Sequence, residues 1–204
     1  MKVLAINGSP RTNGNTRLLL EQVLAPLAEA GWETELVQIG GQDIHGCRAC
    51  GVCSRSKDRQ CGSEDDAFNP VFAKMLAADA VVLGSPTYFA DVTAEMKALM
   101  DRAGFVAMAN GFALAGKIGA AVVVARRGGA VHVFDSLNHL FFISQMVVPG
   151  STYWNMAYGR EMGQVAEDAE GLRNMRHLGR AIAWLGRAMK DAGSPYPVLK
   201  AGEA

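Results

Sequence analysis

The strongest constraint on the fold is the way the chain begins. Val3-Leu4-Ala5-Ile6 is an apolar run without alternation, the pattern of a strand buried on both faces, as in a parallel sheet. A polar turn follows at once, Asn7 to Thr16, holding two Gly, three Asn, one Ser and two Thr around a single Arg, and it runs directly into a helical pattern. Backbone N–H groups of such a turn and of the helix N-terminus point toward one spot. The helix dipole favours negative charge there, and Arg11 adds a full positive charge. A phosphate monoester meets these demands, with Ser9, Arg11, Asn13, Asn15 and Thr16 as its candidate partners. The same pattern also opens any α/β unit, in which case the turn merely caps a helix. Two better-known phosphate motifs are excluded: neither GxxxxGK followed by Ser or Thr nor GxGxxG occurs.

With 204 residues, 50% of them hydrophobic and 20% charged, the chain suits one well-packed α/β domain and is short for two. Its formal net charge is zero, which argues against nucleic acid or an anionic membrane as partner, since both ask for a basic surface. No apolar run reaches the roughly 18 residues of a membrane span, and no charged region precedes a signal-like core at the N-terminus. The expectation is a cytoplasmic protein whose four cysteines stay reduced and bind metal rather than pair as disulfides.

Leu20, Val23, Leu24 and Leu27 recur at helical spacing after Asn15 or Thr16 as N-cap, with Gly31 as the stop and Pro26 expected to kink or shorten the helix. Residues 33–39 alternate, as an edge strand does. Residues 40–66 hold all four cysteines without sustained periodicity and read as a long functional loop. The remaining pattern predicts a helix from Asp65 or Asp66 to about 78, a buried strand at 80–83, a loop at 84–89 and a helix at 94–102. A strand at 117–125 then opens into Arg126-Arg127-Gly128-Gly129, followed by a helix at 131–145, a short last strand at 146–148 and a long helix at 165–190. Five strands alternating with helices make a doubly wound parallel α/β sheet with helices on both faces and the expected strand order 2-1-3-4-5. Ligands of such sheets sit outside the carboxyl ends of the strands, at the switch point between the first and third. The loops after Ile6, Leu83 and Ala125 all fall there. The domain is expected over 1–193 with the cysteine loop inserted at 40–66, and 194–204 as an extended C-terminal tail.

The first loop supplies donors for a phosphate, and the second offers Pro86, Thr87, Tyr88 and Phe89, a flat aromatic surface beside backbone amides. The third adds Arg126 and Arg127, of which one is expected to reach the ligand, and Gly128 and Gly129, which let backbone approach a planar ring. A phosphate at one end and a flat heterocycle at the other describe FMN; a hydrophobic lid or a dimer contact is the other use for Tyr88 and Phe89. The combination Asn7-Gly8-Ser9-Pro10-Arg11 with Asn13, Asn15 and Thr16, then Gly84-Ser85-Pro86-Thr87-Tyr88-Phe89 followed by Met96-Lys97 and Asp101-Arg102, is similar to the NADPH-dependent FMN reductase family of flavodoxin-like proteins, from Met1 to about Lys190. The resemblance implies a flavodoxin-like fold, with FMN phosphate on the first loop and the isoalloxazine ring near 86–89 and near Arg127, Gly128 and Gly129. It also implies a homodimer or tetramer with the flavin close to a subunit interface.

Cys47, Cys50 and Cys53 form CxxCxxC, and Cys61 follows after seven intervening residues. Three thiolates at that spacing can converge on one metal group and the fourth closes the coordination. The motif resembles the iron–sulfur flavoprotein branch of the same family, in which a compact cysteine motif after the second strand holds a 4Fe-4S cluster. Structural zinc also satisfies four thiolates, and free thiols are the third option. His45 is read as lying outside the ligand set. Arg48, Arg55, Lys57 and Arg59 make the loop basic, which suits an anionic cluster, an acidic electron-transfer protein, or simply solvent.

The sequence therefore points to an FMN-dependent oxidoreductase in which a 4Fe-4S cluster relays electrons between a one-electron carrier such as ferredoxin and the flavin. The rivals are an NAD(P)H-dependent FMN or quinone reductase whose cysteines hold zinc or nothing, and a non-catalytic flavin carrier. No catalytic side chain is singled out, because the flavin carries the chemistry. His132, His139 and His177 read as packing or surface residues, and Ser85 beside Pro86 is not a nucleophile elbow. The aromatic stretch 151–159 is open between a flavin cover and core packing.

Overall fold

The computed structural model describes residues 1–63 and 65–198. Its sheet is built on three strands with almost no exposed residue: β1 (Lys2–Asn7), β3 (Ala80–Pro86) and β4 (Ile118–Ala125). β2 (Glu33–Gln38) forms one edge and β5 (Met156–Tyr158) the other, and the order is 2-1-3-4-5 with every pair parallel. Unbroken hydrophobic runs are what a sheet covered on both faces requires, because successive side chains feed opposite layers. Leu4, Ile6, Val81 and Leu83 pack with α3 (Phe68–Ala77), α4 (Ala94–Ala109) and α5 (Ala130–Ile143). Val3, Ala5, Val82 and Val122 pack with α1 (Asn15–Glu29) and α6 (Ala169–Asp191) on the other face. Each such fully buried Val, Leu or Ile side chain contributes about 1.5–3 kcal/mol.

Several local expectations are corrected. The stretch 146–148 is not the last strand: Val147 makes a single parallel bridge to Ile118 at the start of β4, and the strand proper is β5, beside Val123 to Ala125 at the other end. Three apolar residues followed by Pro149-Gly150 are too few to run the length of β4, so the edge breaks and resumes. α1 is not shortened by Pro26, which lies inside its last turn, where only one intrahelical bond is forfeited; the chain turns at Gly31 (φ 81°) as expected. Its N-cap is Gly14, and Asn15 and Thr16 are already helical. α4 runs on past 102 to Ala109, because Met96, Leu99, Ala103, Val106 and Ala107 extend one buried stripe through Gly104. A 3₁₀ turn, Gln164–Glu167, replaces the expected start of the last helix, and α6 begins after Asp168, whose side chain accepts from the Gly171 N–H at 2.9 Å. The cysteine loop contains a short helix of its own, α2 (Val52–Ser56). Of the expected tail, 199–204 lies outside the described residues; in the described part Tyr196 packs over Gly116.

Candidate functional site

Four strand ends meet at the carboxyl edge. The turn after β1 is fastened from beneath: Asn7 Oδ1 accepts from the Ser9 N–H at 3.0 Å, and Asn7 Nδ2 donates to Gln38 Oε1 at 2.7 Å. Gln38 Nε2 in turn donates to the carbonyls of Ser9 (2.6 Å) and Gly40 (2.7 Å). The Gly8 N–H donates to the Gly84 carbonyl at 2.8 Å, and Thr93 Oγ1 donates to the Gly8 carbonyl at 2.8 Å. Neighbouring strand ends thus hold the turn in one shape. Directly after it α1 starts on a glycine, with no acidic side chain in its first turn, so its leading N–H groups have no carboxylate to answer them.

The turn is one wall of a cavity of about 210 Å³ lined by Ser9, Arg11, Asn15, Thr16, Pro86, Thr87, Tyr88, Val124, Arg126, Gly159 and Arg160. Among the described residues its lining carries three arginines and no carboxylate. Thr87 Oγ1 is buried there without a hydrogen-bond partner among the described residues, and a buried hydroxyl left unanswered is costly unless a ligand meets it. Tyr88 and Asp91 exchange backbone hydrogen bonds of 2.8 and 3.0 Å around Phe89 (φ 48°) and Ala90 (φ 64°), two non-glycine residues in the left-handed region. Such a turn is strained and persists only where its surroundings hold it. Gly129 does that: its φ is 87°, and a Cβ there would meet Ala90 Cα at 2.9 Å and Thr87 Cγ2 at 3.0 Å, so the third loop seats flush against the second. The Phe89 ring is fully exposed and Tyr88 is half exposed.

Of the residues singled out in the sequence, Ser9, Arg11, Asn15, Thr16, Pro86, Thr87 and Tyr88 line this cavity. Asn13, Phe89, Arg127 and Gly128 lie on the loops around it, and Arg126 is the arginine of its strand end that joins the wall. Asn15 spends its amide on protein: Nδ2 donates to the carbonyls of Gly159 (3.3 Å) and Glu161 (2.9 Å), and Oδ1 accepts from the Gly163 N–H (2.8 Å). It thereby staples a fourth loop to the rim, which supplies Gly159 and Arg160. Sequence reasoning left 151–159 open as a flavin cover but missed Arg160 and the strand end that this loop follows, because the last strand was expected at 146–148.

The cysteine segment leaves the same edge after β2. Left-handed residues at Ala49, Gly51, Lys57 and Arg59 curl it, and Cys47, Cys50, Cys53 and Cys61 all line one small pocket of about 40 Å³ together with Arg102, Phe105 and Val106 of α4. Cys47 and Cys50 are exposed, Cys53 and Cys61 half-buried, and all four are free thiols. Among the described residues no three His, Cys, Asp or Glu side chains close around a single ion. Asn69 grips Cys61 at both ends, accepting from its N–H at 2.8 Å and donating to its carbonyl at 2.9 Å. Behind the pocket Arg102, about 1% exposed, pairs with the Asp66 carboxylate, whose side chain is buried. Burial works against the charged form of Asp66, yet the Arg102 guanidinium and the backbone N–H groups of His45 and Phe68 hold its carboxyl below the usual carboxylate range. Arg102 was legible in principle: it falls on the stripe Leu99, Ala103, Val106, where a cation demands a buried partner.

Comparison with known proteins decides what kind of molecule this is. Residues 1–161 match the family of NADPH-dependent FMN reductases. The chain belongs to this family. An iron-sulfur flavoprotein of Methanocaldococcus jannaschii is 36% identical over 197 residues, covering 93% of this chain and 100% of the relative. An iron-sulfur flavoprotein of Methanosarcina thermophila is 33% identical over 188 residues, covering 87% and 96%. Among solved structures, RosB with a bound 8-demethyl-8-formylriboflavin-5'-phosphate intermediate superposes with a TM-score of 0.77 at 18% identity, covering 95% of this chain and 82% of that one. A flavodoxin from the domain Archaea superposes at 0.61 with 17% identity, covering 92% and 99%. The fold is therefore flavodoxin-like, and the protein is a flavin-dependent oxidoreductase with FMN as its cofactor. The residues present suit that cofactor: an unanswered helix N-terminus and three arginines for a phosphate, an orphaned Thr87 hydroxyl, and a flat apolar surface at Pro86 and Tyr88. Among the described residues no helix is long and apolar enough to cross a membrane.

Proposed function

We propose that FMN sits on the carboxyl edge with its phosphate on the turn Ser9 to Thr16 and its ring between Pro86-Thr87-Tyr88 and the strand end Arg126 to Gly129. The four cysteines hold a 4Fe-4S cluster that exchanges electrons with the flavin. Bound FMN supplies one- and two-electron chemistry and a cluster one-electron chemistry only, so the pair joins partners of the two kinds. The chain's own residues bind, orient and tune. Arg11 and the first turn of α1 answer the phosphate charge, Thr87 fixes the ring's polar edge, and Arg126 or Arg127 with the amides of Gly128 and Gly129 stabilises negative charge on the reduced ring. Cys47, Cys50, Cys53 and Cys61 are the ligand set.

The observation that carries this reading is the convergence of all four thiols on one pocket against α4, the helix whose N-cap residue, Thr93, also holds the flavin turn through Gly8. Arg102 stands about 13 Å further along that helix axis, at 1.5 Å per residue, so one rigid element ties both sites together. Relatives of matching length are iron-sulfur flavoproteins, which supports the cluster over zinc. The electron donor is NAD(P)H or a ferredoxin-like carrier, and the protein works in the cytoplasm as a homo-oligomer that covers exposed Phe105, Phe142 and Ile143. Anaerobic purification with flavin, iron and sulfide analysis tests it. One FMN with about four iron and four sulfide per chain is expected from the cluster type. A purely yellow protein with zinc or no metal would leave an NAD(P)H-dependent FMN or quinone reductase, and failure of any pyridine nucleotide or ferredoxin to turn it over would leave a flavin carrier.

A further inference from the structure

Arg102 occupies the core-facing stripe of α4, where an unanswered charge is strongly unfavourable. Each of its nitrogens is answered by the cysteine segment. Nη1 donates to Asp66 Oδ2 and, at 3.1 Å, to the His45 carbonyl; Nη2 donates to the Ser63 carbonyl at 2.7 Å; Nε donates to Cys61 Sγ at 3.3 Å. The Phe68 ring lies 4.2 Å from its Cζ, closing the remaining face. One side chain therefore ties together the stretch before CxxCxxC, the stretch after Cys61, and the fourth thiol itself. A lysine could restore the charge but not this fork, which has donors in three directions.

A hydrogen-bond donor aimed at a cysteine sulfur stabilises the more negative, reduced state of a thiolate-ligated iron–sulfur group, and so raises its potential. We infer that Arg102 is the positioning residue of the cysteine site: it clamps both flanks of the loop and, through Nε–H to Cys61, sets the iron–sulfur potential above that of an unassisted thiolate set. This rests on the cluster reading above. It also separates Cys61 from the other three cysteines, for which no arginine contact of this kind is found among the described residues.

The full-length protein with FMN bound is compared with Arg102→Lys and Arg102→Gln, each first checked for flavin content so that misfolded preparations are recognised. Hydrogen exchange in the metal-free protein reads the clamp independently of any cluster: amides of 45–63 are expected to exchange faster in both variants while β1, β3 and β4 keep their protection. An EPR-monitored redox titration of the iron-loaded protein reads the sulfur contact. The iron–sulfur potential is expected to move to more negative values in Arg102→Gln and to recover in part in Arg102→Lys, with the flavin potential unchanged. A role confined to folding would lower iron occupancy and leave the potential of the loaded fraction where it was. Unchanged loop exchange in both variants, or a wild-type potential in Arg102→Gln, overturns the assignment. If Arg102→Gln fails to retain FMN, Arg102→Lys carries both readouts. Lack of iron and sulfide in the anaerobic wild-type protein overturns the cluster reading instead, and the exchange comparison then decides the clamp.

Discussion

Ser9 and Cys61 each sit on a polar loop packed beside α4, but the first is held by neutral pairing and the second by charge. Around Ser9 the bonds run between amides, carbonyls and the side chains of Asn7, Gln38 and Thr93, all anchored on strand or helix ends. Around Cys61 the principal tie is the buried pair of Arg102 and Asp66, with Asn69 beside it. The difference follows from what each loop can bury. The turn after β1 is short and inherits its shape from the sheet beneath it, whereas the cysteine segment is long, with Ile44, Cys53 and Cys61 only partly buried against the core. A segment with so little apolar anchorage takes its order from polar contacts or from a bound metal group.

The comparison is tested most severely at Asp66. Asp66→Asn leaves the Arg102 charge buried without its carboxylate, a loss of about 3–5 kcal/mol. Urea denaturation is expected to show that loss, with raised hydrogen exchange in the cysteine segment and unchanged FMN affinity; an equal loss of FMN binding would mean that the two regions are one cooperative unit. Asn15→Ala acts on the other side. Stripping the amide that fastens the loop from Gly159 to Gly163 is expected to cost about 1–3 kcal/mol in thermal denaturation and to weaken FMN binding, because the carbonyls of Gly159 and Glu161 and the Gly163 N–H lose their partner. The cysteine segment should not respond. The smallest effect is expected at the exposed Arg11: Arg11→Ala weakens FMN binding about tenfold, as for one charge-assisted contact at a solvated rim. Fluorescence titration at rising salt checks it, since the wild-type advantage should shrink as the charge is screened.

Legibility in the sequence divides along the same line. Strand order and the switch point followed from unbroken apolar runs at 3–6, 80–83 and 120–125 and from the alternation of strands with helices. The meeting of Ser9, Pro86 and Arg126 on one cavity follows from the topology alone. The last strand was misplaced because three apolar residues at 146–148 and three at 156–158 carry equal local signal, and only pairing with β4 distinguishes a bridge from a strand. Asn15 offered a side-chain amide as helix cap from the sequence, yet its partners are some 150 residues away.

Hydrophobic periodicity and turn chemistry are local, so residues 1–16, the βα alternation and the CxxCxxC spacing were enough to point to the fold and the family and to name two candidate sites. What needed the tertiary structure was long-range and polar. That Arg102 would turn toward Cys61 and Asp66, and that Asn15 would bind a loop beyond β5, depends on which groups share a low-dielectric interior and must answer one another there. No stretch of sequence short enough to show a pattern contains both partners of such a contact.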